Sequence, residues 1–153
     1  RIRSVRADSV FSNYTSVARI PVGNAPLIMN EGTFTTCGIT FLDPGGTGNY
    51  PNTASVTTVL KPSSPDTKIR PRFSYFKTEE NLDYLYVFNG AGTNSYLGYY
   101  TGRNTPSTLQ STAPGGELTF YFYSNNMITD SGWSAYISCY KPITAASART
   151  VNK

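Results

Sequence analysis

The feature that most constrains the fold of this chain is a series of short runs rich in β-branched and aromatic residues, separated by clusters of Gly, Pro, Asn and Asp. Turn signals recur roughly every 8–12 residues, which is typical of an antiparallel β-sandwich. No segment keeps the apolar period of an amphipathic helix. At 153 residues the chain is long enough for one buried core, so the pattern predicts a single all-β domain of about seven to nine strands.

Individual strands can be placed from the alternation of apolar and polar residues. Near the end of the chain, Trp133, Ala135, Ile137 and Cys139 share one face, which indicates that Trp133 belongs to the core. Pro71 cannot donate a ladder hydrogen bond and therefore predicts an edge strand or a bulge. We predict strands at residues 27–29, 33–42, 55–60, 68–76, 84–88, 96–100, 117–123 and 133–140.

One stretch, residues 73–90, combines the strand pattern with an acidic loop. Two apolar, aromatic runs flank Glu79, Glu80 and Asp83 in a chain of which only 14% of the residues are charged. We expect the two runs to form a hairpin in the middle of the sandwich, with the acidic residues at its tip.

The net charge of +4 raises the possibility of a nucleic-acid partner, but its distribution argues against one. The basic excess lies at the two ends of the chain, and the part between them is slightly acidic. We therefore expect no basic groove and no nucleic-acid partner. The basic residues at the ends are Arg1, Arg3, Arg6, Arg19, Lys141, Arg149 and Lys153.

The chain contains no histidine. This excludes Ser-His-Asp and Cys-His nucleophilic catalysis and the usual zinc sites. Glu79 with Asp83, or Glu79 with Asp130, is the remaining candidate for a glycosidase pair, but that chemistry needs a defined carboxyl separation across a cleft. A small acidic loop at the end of a sandwich rarely forms such a cleft, so we predict that the domain is not an enzyme.

The two cysteines, Cys37 and Cys139, lie about 100 positions apart, too far and too few for a zinc ribbon or a Cys-x-x-Cys motif. In a β-protein rich in Thr and Tyr we interpret them as one disulfide that links the first core strand to the last. The alternative is a pair of unpaired buried thiols.

The organisation along the chain is that of one domain with two flanking segments. Residues 1–26 show no sustained period and are interpreted as an extension, with an added strand along the domain as one hypothesis. Residues 27–140 are predicted to form the sandwich, and residues 141–153 are small, polar and predicted to be mobile. No apolar run approaches the roughly 20 residues of a membrane-spanning helix. The chain begins without Met, so the missing signal peptide does not argue against secretion.

A set of short motifs follows in a fixed order between about residues 28 and 140. They are Thr36-Cys37-Gly38, Phe41-x-Asp43-x-Gly45-Gly46-x-x-Asn49-Tyr50, Phe73-x-x-Phe76-x-Thr78-Glu79, Asp83-Tyr84-Leu85-Tyr86-Val87-Phe88-Asn89-Gly90, Leu97-Gly98-x-Tyr100-x-Gly102, Pro106-x-x-Leu109-x-Ser111-Thr112, and Leu118-x-Phe120-x-Phe122-x-Ser124 with Gly132-Trp133-x-Ala135. This order resembles that of a CUB domain, in particular the CUB-like modules of secreted bacterial proteins.

The resemblance implies a CUB-like jelly roll that is secreted or displayed at the cell surface and that binds proteins or glycans rather than catalysing a reaction. It also implies a calcium ion at one end of the sandwich, where the ordered loops receive a basic side chain from the partner. The further cysteines common in the family are absent, with Leu82 and Thr101 near their places. This absence favours the pairing of Cys37 with Cys139 and the bacterial branch.

Carried over by position, the resemblance implies that Glu79 and Asp83 are calcium ligands and places the third acid of the site at Asn125. An amide oxygen can bind Ca²⁺, but the lost negative charge should weaken the site. Asp130 is a candidate for compensation, and Glu80 is an alternative to Glu79. The opposing interpretation is that the loop acids are simply solvated and that Asp83 caps a turn.

Partner recognition is expected from the loops at residues 79–83 and 125–131, together with exposed tyrosines such as Tyr84, Tyr86 and Tyr99. An extracellular protein is the favoured partner. A carbohydrate-binding module is a second hypothesis, because aromatic rings stack on sugars. A third is a structural domain whose residues 1–26 or disulfide-linked ends mediate self-association, giving a homo-oligomer, or surface display.

Overall fold

The computed structural model describes residues 24–107 and 109–143, which form two stacked β-sheets. One sheet has four strands in the order β1-β3-β9-β5, and the other has five in the order β2-β4-β8-β6-β7. Within these residues there is no helix, so none is long and apolar enough to cross a membrane. The predicted all-β sandwich is confirmed. The strands are β1 (Leu27–Ile28), β2 (Gly32–Thr36), β3 (Ile39–Leu42), β4 (Ser55–Pro62), β5 (Lys68–Lys77), β6 (Tyr84–Asn89), β7 (Tyr96–Tyr100), β8 (Leu118–Tyr123) and β9 (Gly132–Tyr140).

The strand pairing is antiparallel with two exceptions. β1 runs parallel to β3, and β2 runs parallel to β4. Between β1 and β3 the chain crosses to the other sheet to form β2 and then returns. Two reversals in succession restore the original direction, so β3 is parallel to β1.

The segment predicted as one strand over residues 33–42 is two strands in different sheets. The break lies at Cys37 and Gly38. Gly38 has a φ of +69°, a conformation that a residue without a Cβ adopts readily, and its N–H donates to the carbonyl of Ile137 at 2.8 Å. The left-handed turn ends β2 and directs the chain into β3.

The hairpin predicted for residues 73–90 is also wrong. β5 pairs with β9, whereas β6 pairs with β7 and β8 in the opposite sheet. Both strands have a buried face, with Ile69 and Phe76 on β5 and Leu85 and Val87 on β6. Stacking across the core buries these faces on opposite sides of the same interior, which edge-to-edge pairing in one sheet would not do. The acidic loop therefore crosses between the sheets at one end of the sandwich.

The prediction for Pro71 is confirmed. β5 lies at the edge of the four-stranded sheet, where a missing backbone donor is tolerated. Its pairing with β9 also shifts register between Phe73 and Tyr75, which marks a bulge.

The core fills the space between the sheets and is centred on Trp133, which is 1% exposed. Its ring lies 5.1 Å from that of Phe122, 6.1 Å from that of Phe76 and 6.2 Å from that of Phe41. These neighbours belong to both sheets, so the predicted core position of Trp133 is confirmed. Other large side chains buried there are Tyr50, Leu60, Ile69, Leu85, Leu118, Phe120 and Ile137.

Cys37 and Cys139 form a disulfide, with their Cα atoms 5.6 Å apart. The bond links the turn between β2 and β3 to β9, and it excludes the alternative of two unpaired thiols. The described strands begin at Leu27 and end at Tyr140. The predictions for residues 1–26 and 141–153 concern mostly residues 1–23 and 144–153, which lie outside the described part of the chain.

Candidate metal centre

Three loops meet at the end of the sandwich where the acidic residues lie. They connect β3 to β4, β5 to β6 and β8 to β9. Three backbone hydrogen bonds join the first loop to the third. They run from Tyr50 N–H to the carbonyl of Asp130 at 3.1 Å, from Thr53 N–H to the carbonyl of Asn125 at 2.6 Å and from Ser124 N–H to the carbonyl of Ala54 at 3.0 Å. The side chains of the second loop contact both of the others.

Asp83 is the most enclosed acid of this group, with no exposed surface. One carboxylate oxygen accepts a hydrogen bond from the hydroxyl of Tyr50 at 2.6 Å, and the other accepts one from the backbone N–H of Asn125 at 2.8 Å. Asp83 also donates its own N–H to the carbonyl of Glu79 at 3.1 Å. Its side chain thus joins all three loops.

Glu79 is linked to Asp83 through the same two neighbours. Its backbone N–H donates to the hydroxyl oxygen of Tyr50 at 2.9 Å, and its carboxylate accepts from the side-chain amide of Asn125 at 2.8 Å. Tyr50 and Asn125 therefore each connect the two acids. The structure brings Glu79, Asp83 and Asn125 together, and their role as calcium ligands stays a prediction.

The side chain of Asn125 stands where the resemblance places a third acid. Its Nδ2 donates to Glu79, while its Oδ1 accepts from the backbone N–H of Met127 at 2.7 Å. The side-chain amide thus presents a hydrogen-bond donor to the carboxylate of Glu79, the backbone N–H of Asn125 donates to that of Asp83, and the amide oxygen turns toward its own loop.

Asp130 lies apart from this group. Its carboxylate pairs with the ammonium group of Lys77 at 2.9 Å and accepts from the N–H of Ser131 at 2.8 Å. Burial alone would raise the pKa of Asp130, but the hydrogen bonds from Lys77 and Ser131 outweigh it and lower that pKa. A role for Asp130 as a metal ligand stays a prediction, and it would require the carboxylate to leave Lys77. Glu80 is exposed and lies beside Gly102.

Tyr50 is a central member of the site that the sequence analysis did not single out. Its ring is 1% exposed and packs edge-on against Phe122, with centroids 5.0 Å apart. Burial, and then the hydrogen bond to Asp83, raise the pKa of the Tyr50 hydroxyl, so it keeps its proton and donates it. In the sequence, Tyr50 was visible only as part of the Asn49-Tyr50 pair in the motif set, and that pair was given no function.

Asp43 is a second buried acid without a predicted role, and it acts within the fold. Its two oxygens accept from the backbone N–H groups of Gly45 at 2.8 Å and Trp133 at 3.1 Å. Burial, only partly offset by these bonds, raises the pKa of Asp43 to about 6. The side chain joins the β3–β4 turn to the start of β9.

The oxygen donors at this end of the sandwich include few charged groups. Within the described residues no three Asp, Glu, His or Cys side chains form a cluster, and the ion pair found there is that of Lys77 with Asp130. Asp83 is thus a fully buried carboxylate held by neutral donors alone, beside Glu79. Buried charges normally have a cationic partner. Asp83 and the partly buried Glu79 supply two carboxylates of the oxygen-ligand type that Ca²⁺ takes, one negative charge fewer than a site of three acids.

The predicted partner-binding tyrosines also lie close together. Tyr84, Tyr86 and Tyr99 project from the outer face of the five-stranded sheet, with ring centroids 5.6–6.2 Å apart. Tyr84 directly follows Asp83, so this face begins at the loop end of the sandwich.

Fold and site together define a disulfide-linked β-sandwich with two acids at the crossing between its sheets. The CUB domain family model matches residues 31–137, and the chain belongs to this family.

Relatives at the sequence level include the Cubilin homolog of Drosophila melanogaster, which is 28% identical over 110 residues. That match covers 69% of this chain but only 3% of the much longer relative. The predicted assignment to the bacterial branch stays a prediction.

Solved structures with the same fold include the CUB1-EGF-CUB2 domains of rat MASP-1, with a TM-score of 0.63 and 18% identity over 80% of this chain and 47% of that one. The MASP-1 CUB2 domain bound to Ca²⁺ is also similar, with a TM-score of 0.58 and 17% identity over 71% of this chain and 98% of that one. At such identities these likenesses establish the fold alone.

Proposed function

We propose that this domain is a non-catalytic, extracellular binding module that recognises a protein partner through the loops around Glu79, Asp83 and Asn125. The observation that carries the proposal is the buried Asp83 carboxylate, which has neutral donors only and joins three loops at one end of the sandwich. Membership of the CUB family and the disulfide, a bond that persists in oxidising compartments, support the extracellular setting.

The surface around the acids fits a protein partner. Leu82, Met127 and Ile128 are 48%, 70% and 57% exposed, and they lie on the two loops that carry Glu79 and Asn125. Apolar side chains around an acidic centre suit a basic side chain of the partner with an apolar stem.

A weak calcium site belongs to the same proposal. Glu79 and Asp83 would hold the ion, with an oxygen of Asn125 as a neutral ligand. The cation would offset the two negative charges and hold the loops at residues 79–83 and 125–131 in one arrangement. Because one acid is replaced by an amide, we propose binding in the millimolar rather than the micromolar range.

The calcium prediction is tested by thermal melting in Ca²⁺ at about millimolar concentration and in chelator. We expect Ca²⁺ to raise the melting temperature of the wild type, and Asp83→Ala or Glu79→Gln to abolish the rise. Glu80→Gln is the matched control and should keep it. In chelator, Asn125→Asp should have a lower melting temperature than wild type, because three acids then repel each other. Its melting temperature should rise more than that of wild type when Ca²⁺ is added. Identical wild-type curves in both solutions would refute calcium binding.

The protein-binding part is tested separately, by capture of proteins from the native surroundings of the domain on immobilised wild type and variants. We expect Leu82→Ser to reduce the capture of a specific protein. Leu97→Ser is the matched control, because Leu97 is 44% exposed and lies at the start of β7, away from the loops. Equal capture by both variants would place the binding surface elsewhere. The self-association alternative predicts a solution mass above that of one chain.

A further inference from the structure

The outer face of the five-stranded sheet carries an unusual concentration of aromatic side chains. Along β6 and β8 the inward positions hold Leu, Val and Phe, whereas the outward positions hold mainly Tyr. In the strand register, Tyr84 lies opposite Tyr123, Tyr86 lies between Tyr121 and Tyr99, and Phe88 lies opposite Tyr96. We call these seven residues the tyrosine face: Tyr84, Tyr86, Phe88, Tyr96, Tyr99, Tyr121 and Tyr123.

Much of the tyrosine face is open to solvent. Tyr96, Tyr99 and Tyr123 are 54%, 53% and 43% exposed. The rings support one another, with Tyr86 stacked on Tyr121 at 5.8 Å and Tyr84 edge-on to Tyr99 at 5.6 Å. Such a surface holds its rings in place before any partner arrives, so few rotamers are lost on binding.

Charge separates this face from the outer face of the other sheet. The cross-strand rows that contain the tyrosines continue to Ser55, Thr57 and Val59 on β4, and the row of Val59 reaches Thr33 on β2. The side chains of these rows include no charge. Glu31, whose carboxylate accepts from the N–H of Thr57 at 2.7 Å, borders the rows, and the exposed Lys61 follows them on β4. The four-stranded sheet instead exposes Arg70 and Arg72 on β5. The tyrosine face therefore offers rings and hydroxyl groups without a formal charge.

A shallow cavity of about 250 Å³ lies beside this face and shares Tyr123 with it. Tyr123 is its aromatic wall, and none of its lining side chains carries a charge. The hydroxyl and amide groups around it donate and accept hydrogen bonds. The residues that line the cavity are Thr53, Ala54, Ser55, Tyr123, Ser124, Asn125 and Asn126.

We propose that the tyrosine face and this cavity together bind an uncharged oligosaccharide. A sugar ring presents C–H groups on its flat faces, which pack on aromatic rings, and hydroxyl groups at its edge, which pair with phenol, hydroxyl and amide groups. The absence of charge in the rows and in the cavity matches a neutral glycan. The small cavity suits one terminal sugar ring, and the tyrosine face suits the rings that follow it.

The test is gel electrophoresis of the whole chain through gels that contain soluble neutral polysaccharides, namely mixed-linkage β-glucan, xyloglucan or galactomannan. Polygalacturonate serves as the acidic comparison. Chelator is present throughout, so that the result is independent of the calcium site. We expect at least one neutral polysaccharide to retard the wild type. Tyr99→Ala and Tyr123→Ala should each weaken that binding by about tenfold or more.

Tyr136→Ala is the matched control, because Tyr136 is also 53% exposed but lies on β9 in the opposite sheet. It should leave the retardation unchanged. Tyr99→Phe keeps the ring and should lose less binding than Tyr99→Ala. Fluorescence of the buried Trp133 reports whether each variant is folded.

Three results would overturn the proposal. They are retardation by none of the neutral polysaccharides, an equal loss in Tyr136→Ala, and retardation by polygalacturonate alone. Sedimentation of the wild type and Tyr99→Ala adds a fourth. A dimer that the substitution converts to a monomer would show that a second copy of the chain covers the tyrosine face.

Discussion

Single side chains hold the loop end of this domain together, and Tyr50 is the clearest case. Its hydroxyl accepts from the N–H of Glu79 and donates to the carboxylate of Asp83, while its ring packs in the core. One residue thus connects the apolar interior to the polar site.

Tyr50→Phe should destabilise the domain by about 1–3 kcal/mol, because it leaves the buried carboxylate of Asp83 and the N–H of Glu79 without their common partner. Urea unfolding measures the loss. Tyr136→Phe, at an exposed position, is the control and should stay within about 0.5 kcal/mol of wild type. A change in Tyr50→Phe as small as the control's would mean that the hydroxyl does not support the site.

Asp43 makes stability depend on pH in an unusual direction. Its pKa is raised to about 6 from an ordinary value of 3.8. Between these values the folded state binds the proton that the unfolded state has released, so stability falls as pH rises. The free energy of unfolding falls by about 3 kcal/mol at most, and the whole fall is reached above the pKa of Asp43 in the folded state.

Comparison of Asp43→Asn with wild type by urea unfolding between about pH 4 and 7 tests this. The difference in free energy of unfolding between wild type and variant should move against the wild type as the pH rises through this range. Asp130→Asn is the opposite case, because the pKa of Asp130 is lowered. In that comparison the wild type should lose stability relative to Asp130→Asn as the pH falls. A pH-independent difference for Asp43→Asn would contradict the burial argument.

At the scale of elements, the loop that contains the acids is a crossing between sheets rather than the tip of a hairpin. β5 and β6 belong to opposite sheets, so residues 78–83 span the thickness of the sandwich. This crossing places Glu79 and Asp83 against the loops that follow β3 and β8. A hairpin tip would have extended them into solvent.

The disulfide is the covalent link between elements, and its removal tests how much the fold depends on it. Cys37 and Cys139 are separated by 102 positions. Opening a loop of this size should cost about 4–5 kcal/mol in the chain-entropy model. Urea unfolding of the Cys37→Ser, Cys139→Ser double variant should show this loss, with the Ser138→Ala variant as a control for the local change in β9. A loss below about 1 kcal/mol would refute the estimate.

For the whole molecule, the sandwich has one core that both sheets share. Trp133 contacts aromatic rings on β3, β5 and β8, and it is the single tryptophan of the chain. Its environment therefore depends on the stacking of the two sheets and not on either one alone.

Tryptophan fluorescence and far-ultraviolet circular dichroism should therefore give the same unfolding midpoint, as expected for a two-state domain. The folded protein should also emit at short wavelength and resist quenching by acrylamide, because Trp133 is 1% exposed. Separate midpoints would show that the sheets part before their strands unfold.

The strand positions were largely predictable from the sequence, because the alternation of apolar residues and the Gly and Pro turns are local signals. β4 through β9 lie within two residues of the predicted ends. The division of residues 33–42 was not predictable, because it depends on a left-handed turn at Gly38 and on which sheet each half joins.

The site was predictable in part and for a different reason. The positions of Glu79, Asp83 and Asn125 came from a motif order whose family is now established. The direction of the Asn125 amide, the engagement of Asp130 by Lys77 and the bridging role of Tyr50 depend on contacts between loops far apart in the chain.

The sequence by itself determined the all-β class, the approximate strands, the absence of histidine chemistry and the family to which the chain belongs. These follow from residue type and from spacing along the chain. Tertiary structure alone decided that residues 73–90 cross between sheets, that Tyr50 joins Glu79 to Asp83, and that seven aromatic residues form one outward face. The physical reason is that burial and strand pairing are set by distant segments, and local pattern specifies which face of a strand is apolar but not what that face will meet.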